Sequence, residues 1–587
     1  MSNTLALFKD LSSELIIQIL HCCEYATILR FAATDRAYYS LVTQSTSLQL
    51  HIELEANGLE LVKGSFKRDA TYTVILEDLK QFRKAWLDLD MGIPIVRPVG
   101  KTRMLLWELR EGFYIKAFSQ SEGRHADALQ FIPLDLKTPD PPPLLFDISF
   151  DEFTVDPEQG LIAIVSKNLG LFTTIHVDLY SITTGLAHPH AQYPRLTVEF
   201  EFERPFFSPE LDIEIMGNVL LIKASHSRLH AYELLIWDWR SGIFLNRITS
   251  RQGICDFTFL DKQHLAVLSG TRSDPDSEAL GTLELLVYTI SDGISTCSNL
   301  LHGQLRVADL VVSLPTLRLA FPQTQESCTI SDAEFYLRSD PTPGRILYTH
   351  SAAYACSYTT TLSINFYVRN VNTGWEGPEY YRVFLDGRFL MDQLRTYNSN
   401  ETVHVPWSSW GVCATRWFIT TERPNHWICR MSSSRFISQL SDQPYSCILD
   451  FSSANAGRSR GCALQSNPPG LDGLDVTKDP GLGVEFEGLR RLEQDLRHFP
   501  ADSPAGHELL VATVGADNPG TISGIGFEEP ITSRLPYRIV CRMNNQSDHE
   551  GWQINGDCIV GVATRGIASE SLTIYKLKKQ AASSSNF

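Results

Sequence analysis

The first part of the chain carries apolar side chains at spacings of three and four, a period typical of amphipathic helices. The first run contains Leu11, Leu15, Ile16, Ile19 and Leu20, which fall on one face of a helix. A serine stands at the start of this run, where its side chain is suited to cap the helix. The pattern therefore predicts a short helix with one apolar stripe.

Two more short helices and a connecting helix are predicted after it. Residues 26–33 form a second apolar segment, and Thr34-Asp35 is suited to cap a third helix. A helix stop is expected at Gly58. Further apolar residues at spacings of three and four predict an amphipathic connecting helix over 78–89.

From about residue 91 the period changes to 2, and short β-rich runs recur between turn residues. A two-part unit repeats: a small apolar strand follows an acidic or glycine turn, and a second strand with an aromatic residue closes on another turn. The first parts are 160–165, 217–222, 261–267 and 556–562, and the second parts are 176–185, 234–242, 285–293 and 572–575. Such tandem strand pairs are typical of β-propeller blades.

The predicted fold class is mainly β, with a small N-terminal α-helical module and a helical connector followed by a β-propeller of about seven blades. The predicted domains are 1–60 for the helical module with its trailing helix, 61–90 for the connector, 91–578 for the propeller and 579–587 for a flexible tail. A strand at 571–577 is expected to pair with residues near 91–118 and close the ring. A pair of two-sheet sandwiches is the alternative architecture.

The residue order of the N-terminal helices resembles the F-box, the module that docks a substrate receptor onto the Skp-type adaptor of SCF cullin–RING ubiquitin ligases. The matching residues are Leu11, Glu14, Leu15, Ile19, Leu20, Ile28, Leu29, Arg36 and Tyr38. The family's usual proline is Ser12 here, and its common Val-Cys is Ala33-Thr34. Residues 47–59 resemble the segment that follows the box in many fungal F-box proteins.

The resemblance implies the substrate-recognition subunit of an SCF-type E3 ubiquitin ligase, with a propeller that recruits a target protein. The implied partners are a Skp-type adaptor, a cullin bound through it, and an unknown protein substrate. The implied adaptor-binding residues are Leu11, Glu14, Leu15, Ile19, Leu20, Ile28 and Leu29. The alternative function is a propeller scaffold that assembles proteins without ubiquitin transfer. The N-terminal helices have an alternative too, as a helical hairpin packed on the rest of the protein.

Composition and charge narrow the remaining classes of function. Against 51 Lys and Arg stand 68 Asp and Glu, and the formal net charge of −17 opposes attraction to phosphate backbones. The sequence has no apolar run long enough to span a membrane and no secretory signal pattern. We therefore expect a cytoplasmic or nuclear protein without nucleic-acid or membrane partners. Its 12 cysteines contain no Cys-x-x-Cys pair and are expected to be reduced, mostly buried thiols.

We expect no catalytic residue, cofactor or metal, since the chain has no Walker loop and no His-Glu-x-x-His helix. Asp151, Glu152 and Asp156 lie near a predicted strand start, where turn and capping roles account for them. Trp407 and Trp410 cannot both point inward along a regular strand, so we expect them to bind substrate. A propeller hydrolase is a third functional class, which would require a histidine and a carboxylate in a deep pocket.

Overall fold

The computed structural model describes the chain between residues 11 and 578 with several gaps. Residues left out within this span are 68–69, 136–137, 168–173, 201–209, 227–229, 273–278, 292–303, 332–333, 373–378, 398–400, 421–424, 426, 440–444, 453–508, 524–525, 544–548, 550 and 563–570. The predicted tail at 579–587 also lies outside the described residues. The described chain is mainly β, with helices at its N-terminal end and antiparallel sheets after them.

Five helices come first in the described chain. They are α1 Ser13–His21, α2 Tyr25–Ala32, α3 Arg36–Gln44, α4 Thr46–Ala56 and α5 Tyr72–Leu87. The side chain of Ser12 caps α1 and that of Asp35 caps α3, each by accepting a hydrogen bond from a backbone N–H of the first turn. Gly58 adopts the left-handed conformation, with φ +65°, just after α4. These caps and this stop confirm the predicted helix boundaries.

The connecting helix α5 begins six residues earlier than predicted, because Thr71 caps it by accepting from the Val74 N–H at 3.4 Å. Tyr72 and Val74 in its first turn are exposed and give no apolar period. No helix within the described ranges is long and apolar enough to cross a membrane.

The strands of the first half build three successive sheets. Strands β3–β6 form one four-stranded antiparallel sheet, β7–β10 run antiparallel in a second, and β11–β14 form a third. The strands are β1 Leu59–Leu61, β2 Ile95–Pro98, β3 Leu106–Arg110, β4 Phe113–Phe118, β5 Ala126–Pro133, β6 Leu144–Phe150, β7 Glu152–Asp156, β8 Leu161–Lys167, β9 Thr174–Ser181, β10 Arg195–Glu199, β11 Glu210–Met216, β12 Val219–His226, β13 Ala231–Asp238 and β14 Ile243–Ser250.

A ten-stranded sheet follows, with β15, β16, β17, β20, β24, β25 and β27 in that order and β19, β21 and β26 beside them. The elements are β15 Gly253–Phe259, β16 His264–Arg272, β17 Leu280–Thr289, β18 Gln304–Arg306, β19 Leu317–Ala320, β20 Cys328–Ile330, β21 Tyr336–Arg338, β22 Ile346–Tyr348, β23 Ala353–Cys356, β24 Thr361–Asn370, β25 Glu379–Asp386, α6 Gly387–Thr396, β26 Val403–Val405, α7 Trp407–Ala414 and β27 Thr415–Thr420. Strand β18 joins the second sheet beside β10, while β1 pairs with β23 and β23 pairs in turn with β22.

The last strands form a five-stranded sheet in the order β28-β29-β30-β34-β31, a small pair β32-β33, and a final sheet in the order β2-β37-β36-β35. They are β28 Met431–Ser432, β29 Arg435–Gln439, β30 Tyr445–Asp450, β31 Leu509–Val514, β32 Gly520–Ile522, β33 Ile531–Ser533, β34 Tyr537–Met543, β35 Gly551–Asn555, β36 Cys558–Val562 and β37 Ser571–Lys576.

Each predicted two-part unit is a pair of neighbouring antiparallel strands: β8 with β9, β12 with β13, β16 with β17, and β36 with β37. These pairs contain short continuous apolar runs bounded by turn residues, such as 161–165 and 219–222, which is why they stand out in the sequence. The last pair is joined by β2, and Ile95 lies opposite Ile574. The predicted pairing of the strand at 571–577 with the region after residue 91 is therefore confirmed.

Apolar side chains fill the spaces between successive sheets. Leu179 of the second sheet packs in one cluster with Trp237 of the third, and that sheet packs in turn against β15–β17. The first sheet also packs against the final one, with Trp107 and Ile574 in the same cluster. The five-stranded sheet packs against the final sheet around Trp552. Each sheet thus buries its faces against neighbours rather than against one central core.

Candidate functional site

The N-terminal helices have a core of their own and an apolar outer surface. Leu20 and Ile28 are buried in the core with Ile16, Ala32, Val42, Leu48 and Ile52. Leu15, Ile19 and Leu29 remain 48%, 41% and 45% exposed. We call Leu15, Ile19 and Leu29 the outer stripe. Of the predicted adaptor-binding residues, the outer stripe and the exposed Glu14 are accessible to a partner, whereas Leu11 is half-buried against the core.

The start of α1 places a negative charge beside the outer stripe. The Ser12 hydroxyl accepts a hydrogen bond from the Leu15 N–H at 3.4 Å. The backbone N–H of Glu14 and the Ser12 side chain lower the pKa of the Glu14 carboxyl. Serine therefore provides a stable helix start at the position where the F-box family usually has proline.

Charged contacts fix α2 to the β body. Glu55 of α4 accepts hydrogen bonds from the Tyr25 N–H at 2.5 Å and from Arg388 of α6 at 3.2 Å. Arg388 also pairs with Glu24 at 3.4 Å, and its guanidinium lies 4.3 Å from the centre of the Tyr25 ring. Arg395, two turns further on, pairs with Glu24 at 2.5 Å. This network holds the N-terminal end of α2 against the β body.

A second attachment runs through the connector. Strand β1 pairs with β23, and α5 presents Asp78 to Ser351, which donates to it from its N–H at 2.8 Å and from its hydroxyl at 2.6 Å. At the other end of α5, Trp86 is buried between the last two sheets. Arg538 of β34 donates to the Leu87 carbonyl at 3.1 Å. The connector is therefore part of the body's packing rather than a hinge.

Trp407 and Trp410 lie on helix α7, so the strand geometry from which their exposure was inferred does not apply. Residues three apart on a helix share a face, and here both rings turn toward the core. Trp410 is buried and donates from its indole nitrogen to the Ala320 carbonyl at 3.0 Å. Trp407 is half-buried against Trp410 and Phe321. Neither ring forms an open binding face.

A cavity of about 750 Å³ lies where the sheets meet. Strands from successive sheets line it, namely β3, β7, β11, β15, β21 and β35. Along this wall β3 contacts β7, β7 contacts β11, and β15 contacts β21. Each of the first four opens its sheet in chain order, so the cavity is surrounded by the leading strands of the sheets.

The cavity wall is strongly acidic. Nine Asp and Glu residues line it, against three basic residues, Arg110, Lys223 and Arg338. Each basic residue is already paired: Arg110 with Glu108, Lys223 with Asp212 at 2.6 Å, and Arg338 with Asp256 at 2.5 Å. More carboxylates than cations therefore face the same enclosed space.

Glu152 is the clearest unpaired acid in the wall. Its carboxylate accepts from the Phe153 N–H at 3.0 Å, and no basic side chain among the described residues pairs with it. Burial raises the pKa of Glu152 well above its usual value, and the nearby Asp212, Glu108 and Asp151 raise it further. The capping role expected for Glu152 is thus wrong, because the residue lies on β7 and faces the cavity. Asp156 does hold a turn, accepting from the Gln159 N–H at 3.0 Å.

The cavity wall also contains Trp107, Cys255 and Cys429. Trp107 is 8% exposed, and its indole N–H has no acceptor among the described residues. Burial raises the pKa of the Cys255 thiol, and it raises the pKa of Cys429 to about 12. Both thiols are therefore protonated at neutral pH and are poor nucleophiles.

The histidine and carboxylate that the hydrolase alternative requires are both represented in the wall, by His226 and Glu210. A Gly-x-Ser-x-Gly sequence at 457–461 lies outside the described residues. Within the described ranges, no group of three or more His, Cys, Asp or Glu residues is arranged to hold a metal ion.

One expectation about the cysteines is wrong. Cys447 and Cys541 lie directly opposite each other on β30 and β34 and form a disulfide. Spacing along the sequence gave no signal for this pair, since the two cysteines are separated by 94 residues.

Comparison with known proteins gives no family. No family model matches the chain, and no curated protein matches it. Among solved structures, a member of the duf4221 family from Bacteroides vulgatus aligns with 8% identity and a TM-score of 0.24, covering 61% of this chain and 91% of that one. A prolyl endopeptidase structure aligns with 10% identity and a TM-score of 0.17, covering 56% of this chain and 64% of that one. Scores this low carry no argument about fold or function.

Proposed function

We propose that this chain is the substrate-recognition subunit of an SCF-type E3 ubiquitin ligase. The N-terminal helices dock on a Skp-type adaptor, and the β body recruits a target protein. The observation that carries the proposal is the outer stripe. Its apolar side chains stay exposed on helices whose other faces are already packed, and they occupy positions that match the F-box pattern.

We further propose that the sheets form a propeller-like ring of about seven blades. Support comes from the packing of each sheet against the next, from the contact of the first sheet with the final one, and from β2 completing a sheet with β37. In this arrangement the ten-stranded sheet supplies two blades, one led by β15 and one led by β21. The acidic cavity is then the space around which the blades are arranged.

The mechanism follows from rigid attachment. A ligase receptor performs no chemistry and acts by raising the effective concentration of a target lysine near the charged ubiquitin carrier. The gain is large only if the receptor holds a fixed distance between its two binding surfaces. The Glu24, Glu55 and Arg388 network and the buried Trp86 of α5 supply that rigidity.

The test is co-expression of the full chain with a Skp-type adaptor, followed by gel filtration. We expect wild-type protein to co-elute with the adaptor. The double variant Leu15→Asp, Ile19→Asp should elute alone, because two charges in an apolar interface cost at least about a hundredfold in affinity. The matched control is Leu186→Asp, which changes a comparably exposed leucine in the β body.

Circular dichroism and thermal melting of both variants establish that the fold is retained. If the wild type elutes alone, or if the double variant co-elutes as well as the control, the adaptor-docking proposal is refuted. A wild type that binds adaptor but shows no ubiquitin transfer to any co-purified protein in a reconstituted ligase favours the alternative, a scaffold without turnover.

A further inference from the structure

Residues 304–316, which we call the strap, cross the outer strands of three successive sheets. The strap begins as β18, which lies parallel to β10 of the second sheet. It then passes along β14, the last strand of the third sheet, where the Ser313 N–H donates to the Arg247 carbonyl at 2.7 Å. It ends beside the ten-stranded sheet, where the Thr316 N–H donates to the Val287 carbonyl at 2.7 Å. The strap therefore runs along the outside of the β body.

Buried contacts anchor the inner side of the strap. The Arg247 guanidinium is buried and donates to both carboxylate oxygens of Glu233, at 3.0 and 3.1 Å. It also donates to the Leu310 carbonyl at 3.0 Å. Leu305, Val307 and Leu310 are buried in the core between the second and third sheets. These contacts fix the strap in place, so its outer side has a defined position on the body.

The outer side of the strap is apolar and has an open edge. Val311, Val312 and Leu314 are 78%, 43% and 79% exposed, and no other four consecutive residues of the described chain include three exposed large apolar side chains. The run 311–315 contains no bend or turn, which indicates an extended backbone. Because the Ser313 N–H faces β14, the N–H groups of the residues on either side of it face away. Those N–H groups have no acceptor among the described residues.

An edge of this kind is suited to accept one further strand. A free strand edge pairs with an extended chain through main-chain hydrogen bonds, and the side chains along the edge select which chain fits. A second copy of this protein fits less well, because a run of four residues buries far less than the roughly 1,200 Å² that a stable interface needs. The net charge of −17 also disfavours an acidic segment.

We propose that the strap binds an extended aliphatic segment of a partner protein, which pairs with residues 311–314 and adds a strand to the third sheet. Valine, isoleucine or leucine side chains of the segment pack beside Val311 on one face and beside Val312 and Leu314 on the other. Segment binding is independent of adaptor docking. Only the identification of the segment as part of a ubiquitination target rests on the proposed function.

The probe is a fluorescein-labelled peptide of alternating valine and threonine with a lysine at each end, and fluorescence anisotropy measures its binding to the full chain. One control peptide has the same sequence with every core amide N-methylated, which keeps the side chains and removes the hydrogen-bond donors. A second control peptide has serine in place of each valine and keeps the donors. We expect the probe to bind at least about tenfold more tightly than either control peptide.

Variants of the strap separate side-chain contacts from strand pairing. Leu314→Ser should weaken binding of the probe by about tenfold. Val312→Pro removes a donor from the open edge and should weaken binding several-fold, whereas Val312→Ala keeps the donor and should weaken it less. The control Leu186→Ser changes a leucine that is 69% exposed and lies outside the strap, and it should bind as wild type. Thermal melting of each variant establishes that the fold is retained.

The proposal is overturned if the probe does not bind, if either control peptide binds as tightly as the probe, or if Leu314→Ser behaves like Leu186→Ser. Equal binding by Val312→Pro and Val312→Ala overturns the strand pairing. A wild-type dimer in gel filtration that Leu314→Ser dissociates would assign the strap to a second copy instead.

The adaptor test fails or succeeds separately from this one. Leu314→Ser should co-elute with the adaptor, and the double variant Leu15→Asp, Ile19→Asp should still bind the probe.

Discussion

The apolar residues of the N-terminal helices differ in exposure although they share one sequence pattern. Leu15, Ile19, Leu20 and Ile28 share one sequence pattern, yet two are exposed and two are buried. An apolar stripe on a helix spans an arc of roughly 100°, wider than one packing contact. Which edge of the arc is covered depends on where α4 crosses the other helices, and helical spacing does not encode that crossing.

Glu111 is expected to make the stability of the folded chain depend on pH. It lies in the turn between β3 and β4, and burial raises its pKa to about 7. The folded state therefore binds a proton more tightly than the unfolded state, and the stability from this group is lost as pH rises from about 4.5 to about 7. Glu111→Gln should remove that loss, worth roughly 3 kcal/mol at most at pH 8.

Thermal melting at pH 5 and pH 8 checks this. We expect Glu111→Gln to melt higher than wild type at pH 8 and close to it at pH 5. Glu529→Gln, at an exposed site, should melt with wild type at both values. Equal melting of Glu111→Gln and wild type at pH 8 would show that Glu111 is not protonated on folding.

Among the secondary-structure elements, the strands were easier to predict from the sequence than helix α7. Short apolar runs between turn residues identified the pairs β8-β9 and β12-β13, because strands buried on both faces are apolar at successive positions. Helix α7 was missed, because its short run of serines and tryptophans fits no apolar period. A Cβ atom on Gly411 would collide with the Trp407 ring. The packing of α7 therefore requires glycine at this position, and the sequence pattern alone does not show that requirement.

Strand β37 lies between β2 and β36, so a change in it is expected to lower the stability of the final sheet. Ile574 is buried and lies between Ile95 of β2 and Val560 of β36. Ile574→Pro should lower the free energy of unfolding by about 3 kcal/mol or more, because proline removes a donor from an inner strand and clashes there. Urea denaturation followed by circular dichroism measures the loss.

The matched variant Ile574→Val shortens the same side chain by one methylene and leaves the backbone donor intact. We expect it to cost only about 1 kcal/mol. If Ile574→Pro were no more destabilising than Ile574→Val, the pairing of β2 with β37 would not contribute to the stability of the body.

At the scale of the whole molecule, the acidic cavity was not predictable from local patterns. Its wall takes Glu108, Glu152 and Asp212 from three different sheets and Gln553 from a fourth. Glu152 begins β7 and Asp212 lies near the start of β11, where an acid is indistinguishable from a turn residue in the sequence, whereas Glu108 lies in the middle of β3. Only the assembly of the sheets places these carboxylates around one space.

The contacts of Arg388 are expected to hold the N-terminal helices against the β body. Arg388→Ala removes the cation that Glu24 and Glu55 share, and it also removes the contact with Tyr25. We expect local opening of α2 to become easier by roughly 1–2 kcal/mol. Hydrogen exchange measured by mass spectrometry should then be about tenfold faster or more in α2, with β15–β17 unchanged.

Arg306→Ala is the matched control, because Arg306 pairs with Glu199 at an exposed site in the second sheet. It should leave exchange in α2 at the wild-type rate. Unchanged exchange in Arg388→Ala would mean that the connector alone holds the helices to the body.

The pairing of β2 with β37 also sets a timetable for folding during translation. Ile95 leaves the ribosome long before Ile574 is made, and at roughly 5–20 residues per second the delay lasts about half a minute to a minute and a half. Throughout that time β2 has no partner strand, and the face of the first sheet that later meets β36 and β37 is uncovered. The nascent chain therefore presents an open edge for tens of seconds, which makes it a natural client for chaperones.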